Sequence, residues 1–248
     1  MSRRYKLQIP PTSYPMQCKT AILPPVQAKQ IQLSAMHLTN RSGGACDMAI
    51  AVLLAGVDSA RKFGQFTAPG PAVDATDFMF SGGPLDIFTT AVGDGYIIQS
   101  PKPFHIVGFT LSQGQAGAPV YAYQYFNGVA FVPLPATFNT PPYTAGDNVL
   151  AFPSPLDWVP GTTAAVGGSP GLYTLFVSAT TAGTQVVTAT AIWVARLLVF
   201  EPALANNQIL SLLYDDIYPV ILDCLEAVVP YFSVPSANNL VTAKFFDA

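Results

Sequence analysis

A serine framed by glycines, Gly167-Gly168-Ser169-Pro170-Gly171, matches the string that carries a hydrolase nucleophile on a sharp strand-to-helix turn. That chemistry needs a helix after the serine and a histidine base later in the chain. Pro170 and the strand-like Leu172-Tyr173-Thr174 oppose the helix, and both histidines, His37 and His105, precede Ser169. The string reads as a loop, and no catalytic residue is assigned. Neither histidine has Cys or carboxylate neighbours at ligand spacing, so each reads as a core or interface histidine rather than a metal ligand. Asp74 with Asp77, and Asp215 with Asp216, have the types for an acid pair or a calcium site. The first pair lacks the repeated oxygen ligands of an EF-hand loop. The second sits at the start of an expected helix, where acids suit the dipole. Cys18, Cys46 and Cys224 are odd in number and widely spaced, which suggests plain thiols. Asn40-Arg41-Ser42 is formally a glycosylation sequon but reads as a turn. No metal, cofactor or enzymatic activity is expected.

Aromatic residues are the remaining candidates. Tyr121, Tyr123, Tyr125, Phe126, Phe131, Trp158, Tyr173 and Trp193 crowd one part of the chain. Exposed rings could stack on sugars, but the polar partners that hold sugar hydroxyls are thin there. These rings, with Asn127 and Gly128 and the C-terminal Ile217, Ile221 and Leu225, are expected to serve structure and interfaces.

The same region is almost free of charge. Of 248 residues, 50% are hydrophobic and 10% charged, with 11 Lys+Arg against 14 Asp+Glu, where about 25% charged is usual. From Pro103 to Ala195 there is no Lys or Arg, and the only acids are Asp147 and Asp157. A surface so poor in charge is expected to face other protein, including copies of itself. There is no basic stripe for nucleic acid and no apolar run of the roughly 20 residues a membrane helix needs. Arg3, Arg4 and Lys6 are followed by Leu7-Gln8-Ile9-Pro10-Pro11 rather than a secretory apolar stretch, so synthesis in a cytoplasm is expected.

The elements that must carry these residues are strands. Residues 1–26 hold Pro10, Pro11, Pro15, Pro24 and Pro25 and read as an extended arm. From residue 27 to 202, short Val, Ile, Thr, Tyr and Phe runs alternate with Gly, Pro, Asn or Asp clusters, which predicts an antiparallel β-sandwich of jelly-roll-like form. Asn127-Gly128 predicts a two-residue type I′ hairpin, with Tyr125 opposite Ala130 and Phe126 opposite Val129. A second hairpin at Thr180-Thr181-Ala182-Gly183 would join Leu172–Ser178 to a long central strand, Thr184–Phe200. Residues 203–248 form a C-terminal extension. Within it Ile217, Val220, Ile221, Cys224, Leu225, Val228 and Val229 recur at helical spacing and predict an amphipathic helix over 217–229.

Three segments stand in one order: Tyr121-Ala122-Tyr123-Gln124-Tyr125-Phe126-Asn127-Gly128 running on to Leu134, then Phe152-Pro153-Ser154-Pro155-Leu156-Asp157-Trp158-Val159, then Gly171-Leu172-Tyr173-Thr174. This order resembles virion structural proteins of tailed bacteriophages, in which a Tyr-x-Tyr-aromatic-Asn-Gly hairpin precedes a Pro-x-Asp-Trp segment and a Gly-x-Tyr strand. Phe131 stands where a Trp is usual, and Leu175-Phe176-Val177 where an arginine-containing strand is common. The resemblance implies a non-enzymatic virion component, a capsid decoration, cement or attachment protein packed on other virion proteins as a homo-oligomer. The alternative it allows is a tail or fibre receptor-binding module for host-surface carbohydrate.

Overall fold

The structure, a computed structural model, describes residues 4–9, 31–53, 62–68, 70–77, 83–135, 137, 140–213, 220–222, 227–232 and 239–247. Seventeen strands run along them in chain order. The first five are β1 (Arg4–Ile9), β2 (Ile31–Thr39), β3 (Cys46–Leu53), β4 (Lys62–Phe66) and β5 (Val73–Asp74). Next come β6 (Leu85–Phe88), β7 (Gly95–Ser100), β8 (Ile106–Gln113), β9 (Val120–Phe126), β10 (Phe131–Pro133) and β11 (Gly146–Ala151). Two long strands, β12 (Tyr173–Thr181) and β13 (Val187–Leu204), precede β14 (Ile209–Leu213), β15 (Val220–Leu222), β16 (Ala227–Phe232) and β17 (Leu240–Asp247). The expected all-β class with antiparallel sheets is what the chain adopts. No helix among the described residues is long and apolar enough to cross a membrane.

The chain divides into two compact units, one of residues 1–57 with 195–248, the other of residues 58–194. In the central unit one sheet has the order β10-β9-β12-β7-β4-β5, and the other brings together β11, β8, β6 and the first part of β13. Their inner faces meet through aromatic rings. Phe88 of β6 lies 5.4 Å from Tyr96 of β7 and 4.3 Å from Tyr121 of β9, and Phe109 of β8 lies 5.2 Å from Tyr96. Two sheets sharing a ring-filled interior give this unit a sandwich-like build. Gly108 of β8 is required beneath Trp193 of β13, because a Cβ there would overlap the indole.

The discontinuous unit is built from both ends of the chain. Its sheet β1-β17-β2-β14 also carries β15 on β2, and a second layer pairs β3 with β16 and with the later part of β13. Between them lies a core of Leu33, Met36, Leu38, Met48, Ile50, Val52, Leu210, Val228, Phe232 and Val241. The turn expected at residues 40–44 is present and is organised by Asn40, which is fully buried. Its Nδ2 donates to the carbonyls of Gly44 and Leu204, both at 2.7 Å, and its Oδ1 accepts from the Ser42 amide at 2.9 Å.

Three expectations need correction. First, the helix over 217–229 is not formed where the chain is described: Val220–Leu222 pairs with β2, and Ala227–Phe232 pairs with β3. Val220, Ile221, Val228 and Val229 are β-branched and fit a pleated surface, and Pro230 is tolerated because β16 is an edge strand. Residues 217–219 and 223–226 lie outside the described residues. Second, β12 and β13 do not form a hairpin. β12 pairs with β7 and β9, whereas β13 belongs to the other sheet, so Ala182–Val186 crosses between sheets. The length and central position expected for the later strand hold. Third, the Asn127 hairpin has a four-residue loop, with Phe126 paired to Phe131 and Tyr125 to Val132. The Asn127 side chain sets that geometry, since Oδ1 accepts from the amides of Val129 (3.1 Å) and Ala130 (3.0 Å). Only Gly128 takes positive φ, at 98°. The shift is two residues, so each side chain keeps its expected face.

Candidate functional site

The end of β9 holds two loops in place. One is the Asn127–Ala130 turn. The other runs from Pro153 to Gly161, and three contacts fix it: the Val159 amide donates to the Phe126 carbonyl at 3.3 Å, the Gly161 amide to the Leu172 carbonyl at 2.9 Å, and the Tyr125 hydroxyl to Oδ1 of Asp157 at 2.7 Å. Within this loop Pro155 and Trp158 are buried, and the Trp158 amide donates to the Pro155 carbonyl at 3.3 Å. Anchored on both sides, Leu156 has nowhere to turn but outward, and it is fully exposed at 106%. Val129 at the tip of the neighbouring turn is 86% exposed, and the half-exposed Val159 lies against Gly128. These three apolar side chains, on two loops joined by the Val159–Phe126 bond, form an apolar tip that also carries Asp157. An apolar group held in water without freedom to fold back loses little conformational entropy when it docks.

Several of the rings singled out by sequence pack on one another. Trp158 packs edge-on against Phe104 at 5.1 Å, Tyr173 at 5.8 Å and Tyr125 at 6.4 Å. Phe126 and Phe176 flank Phe131, each at 5.6 Å. Tyr125, Phe126, Trp158 and Trp193 are buried, while Tyr121, Tyr123, Phe131 and Tyr173 are half-buried. Ile221 lies in β15 opposite Gln32, and Ile217 and Leu225 lie outside the described residues.

A second cluster joins four tyrosines in the central unit. The hydroxyls of Tyr96 and Tyr143 bond at 2.9 Å in full burial, and Tyr121 donates to Oε1 of Gln115 at 2.8 Å. Burial pushes the phenols of Tyr96, Tyr121 and Tyr143 up, and that of Tyr123 up to about 12. The Tyr143 hydroxyl acts on Tyr123 in the opposite, lowering direction. It stands outside hydrogen-bonding geometry, and the Tyr123 hydroxyl is buried with no hydrogen-bond partner among the described residues. Tyr143 itself sits at φ 49°, an uncommon conformation for a bulky residue.

The other sequence candidates are not assembled into a centre. Ser169 lies in a loop opened by Gly167 and Gly168, both at positive φ, and is followed by turn rather than helix. His37 Nδ1 is 2.9 Å from Ser211 Oγ across β2 and β14. Oδ1 of Asp74 accepts from the Thr76 amide. Cys46 is buried, and Cys18, Cys224, Asp215 and Asp216 lie outside the described residues. No group of three or more His, Cys, Asp or Glu among the described residues is placed to hold a metal ion. Val129, Leu156 and Val159 were missed from sequence, although all three lie inside the segments quoted above; the signal was a Leu set between Pro155 and Asp157-Trp158, two residues fixed by their own burial and bonding.

No protein-family model, curated protein or solved structure matches this chain.

Proposed function

We propose that the chain is a non-enzymatic structural component of a tailed-phage virion, a capsid decoration, cement or attachment protein that docks on other virion proteins through the Val129, Leu156 and Val159 tip. One observation carries the reading: Leu156 is fully exposed although Pro155 and Trp158 on either side of it are buried. A soluble chain has no reason to fix a leucine in water unless a partner covers it. The near absence of charge from Pro103 to Ala195 supports a partner surface that is itself apolar or uncharged. Alternation of the successive long strands β7, β8, β9, β11, β12 and β13 between two sheets supports a jelly-roll-like sandwich, the form expected of such a subunit. Assembly as a homo-oligomer in the host cytoplasm, followed by residence on the virion, completes the proposal.

The test is incorporation. Leu156→Asp and Val129→Asp variants should fold with the parent circular dichroism spectrum yet be lost from purified particles, as read by mass spectrometry. Undiminished incorporation of both would overturn the proposal.

A further inference from the structure

The open edge of a β-sheet invites pairing with another chain unless a charge, a proline or a very short strand blunts it. Among the described residues, five of the six strands that end the three sheet orders carry such a device. β1 holds Arg4 and Lys6, β5 is two residues long with Asp74, β11 holds Asp147, and β10 and β16 hold Pro133 and Pro230. The sixth is β14, Ile209-Leu210-Ser211-Leu212-Leu213, and no charged residue stands between Glu201 and Asp215.

The register of β14 decides what its free side presents. Ile209 pairs with Thr39 and Leu213 with Ala35, without a shift between them, and just before the strand the Asn40 amide donates to the Gln208 carbonyl at 3.0 Å. Antiparallel pairs alternate between bonded and non-bonded. Leu210 and Leu212 therefore bond to β2, and the amides and carbonyls of Ile209, Ser211 and Leu213 point away from it. Side chains alternate in the same way. Leu210 is buried in the core and Leu212 packs against it. Ile209 is 56% and Leu213 70% exposed, and Ser211 between them is exposed as well. No described strand pairs with this side of β14.

We infer that β14 is a homodimer interface, pairing antiparallel with β14 of a second copy about a twofold axis at Ser211. In that register Ser211 faces its own counterpart, Ile209 faces Leu213 of the second copy, and each facing pair closes two backbone hydrogen bonds. The strand is its own complement when reversed. On the outer face each exposed apolar side chain gains an apolar neighbour, and on the inner face Leu210 meets the other Leu212 and carries the core across the axis. Because the same edge serves both copies, the assembly closes at two. Pairing with β1 of another copy would instead set Arg4 and Lys6 along an uncharged strand and leave a further β14 open. The dimer gives the homo-oligomer of the virion reading its interface, but the inference rests on the strand alone and not on the apolar tip.

Strand addition buries less than a standard interface, so the test is size-exclusion chromatography with light scattering on the full chain at about 100 µM. The parent should have twice the mass of one chain. Ser211→Pro removes an outward amide and no bond to β2, and Leu213→Glu sets a carboxylate against Ile209 of the second copy. Each substitution acts twice across the axis and should weaken the dimer about tenfold while keeping the parent circular dichroism spectrum. Combining Ile209→Lys with Leu213→Glu in one chain puts opposite charges in both outer pairs and should restore the dimer that either change alone weakens. Leu156→Asp should leave the mass unchanged. The inference is overturned by a monomeric parent, by a dimer undiminished in folded Ser211→Pro, by a double variant no more associated than Leu213→Glu alone, or by loss of the dimer in Leu156→Asp.

Discussion

The Tyr125 hydroxyl donates to Oδ1 of Asp157 across 2.7 Å, joining the last turn of β9 to the loop that presents Leu156. The ring of Tyr125 is buried, its hydroxyl reaches the rim, and the bond to Asp157 raises its pKa. At so exposed a position solvent screens the pair. Tyr125→Phe is therefore expected to cost no more than about 0.5 to 1 kcal/mol. A double-mutant cycle with Asp157→Asn, followed by thermal melting, should return a coupling energy of that size. Full additivity of the two substitutions would show that this side-chain bond does not help to hold the loop.

Gly108 and Trp193 define a tighter constraint. Because a methyl group at 108 would occupy the space of the indole, Gly108→Ala is expected to destabilise the central unit by about 3 kcal/mol through overpacking. Denaturant unfolding followed by tryptophan emission measures it. A loss below about 1 kcal/mol would mean that Trp193 has another rotamer at small cost.

At the hairpin, Asn127→Ala removes the side-chain acceptor of two backbone amides and is expected to cost about 1 kcal/mol. Gly128→Ala should cost a similar amount for a different reason, its φ of 98° and the Val159 methyl 3.2 Å from the new carbon. Asn127→Asp, which keeps an acceptor, should be nearly neutral. Melting temperatures of the three variants separate side-chain bonding from backbone conformation.

The buried tyrosines predict an alkaline limit. Tyr96, Tyr121, Tyr123 and Tyr143 all have raised folded-state pKa values, with Tyr123 up to about 12. A raised value means that the fold favours the protonated phenol, so this stability is complete below the unfolded tyrosine pKa of about 10 and is lost as pH rises through the folded values. Denaturation midpoints should be flat up to about pH 9 and then fall, with phenolate absorbance appearing together with unfolding. Tyr123→Phe removes a buried hydroxyl that has no hydrogen-bond partner and should be neutral or stabilising at pH 7, with a shallower alkaline fall.

Much of the β architecture was legible because it is written in nearest-neighbour chemistry. The alternation through Leu33 and Ala35, the turn at Asn40 and the long run through Trp193 all announce strands. What failed depended on partners distant in sequence. The apolar spacing of Val220, Ile221, Val228 and Val229 fits a helix or an edge strand equally, and pairing with β2 and β3 decided it. The register at Asn127 turned on where one carboxamide points. The crossing between β12 and β13 and the division of the chain after Val57 and after Val194 leave no mark in composition. Hydrophobicity alone likewise cannot tell the buried Trp158 from the exposed Leu156 two residues earlier.

The pairing of Arg4–Ile9 with Leu240–Asp247 has a consequence for biosynthesis. On the ribosome, the first strand of the discontinuous unit is made before its neighbour in that sheet, because its partner lies at the far end of a long sequence separation. The central unit, residues 58–194, has all its strands available much earlier. Folding should therefore proceed from the central unit outward, with Arg4–Ile9 pairing only once Leu240–Asp247 has been made, and a product truncated or stalled before that point should carry a folded centre beside unpaired, aggregation-prone strands.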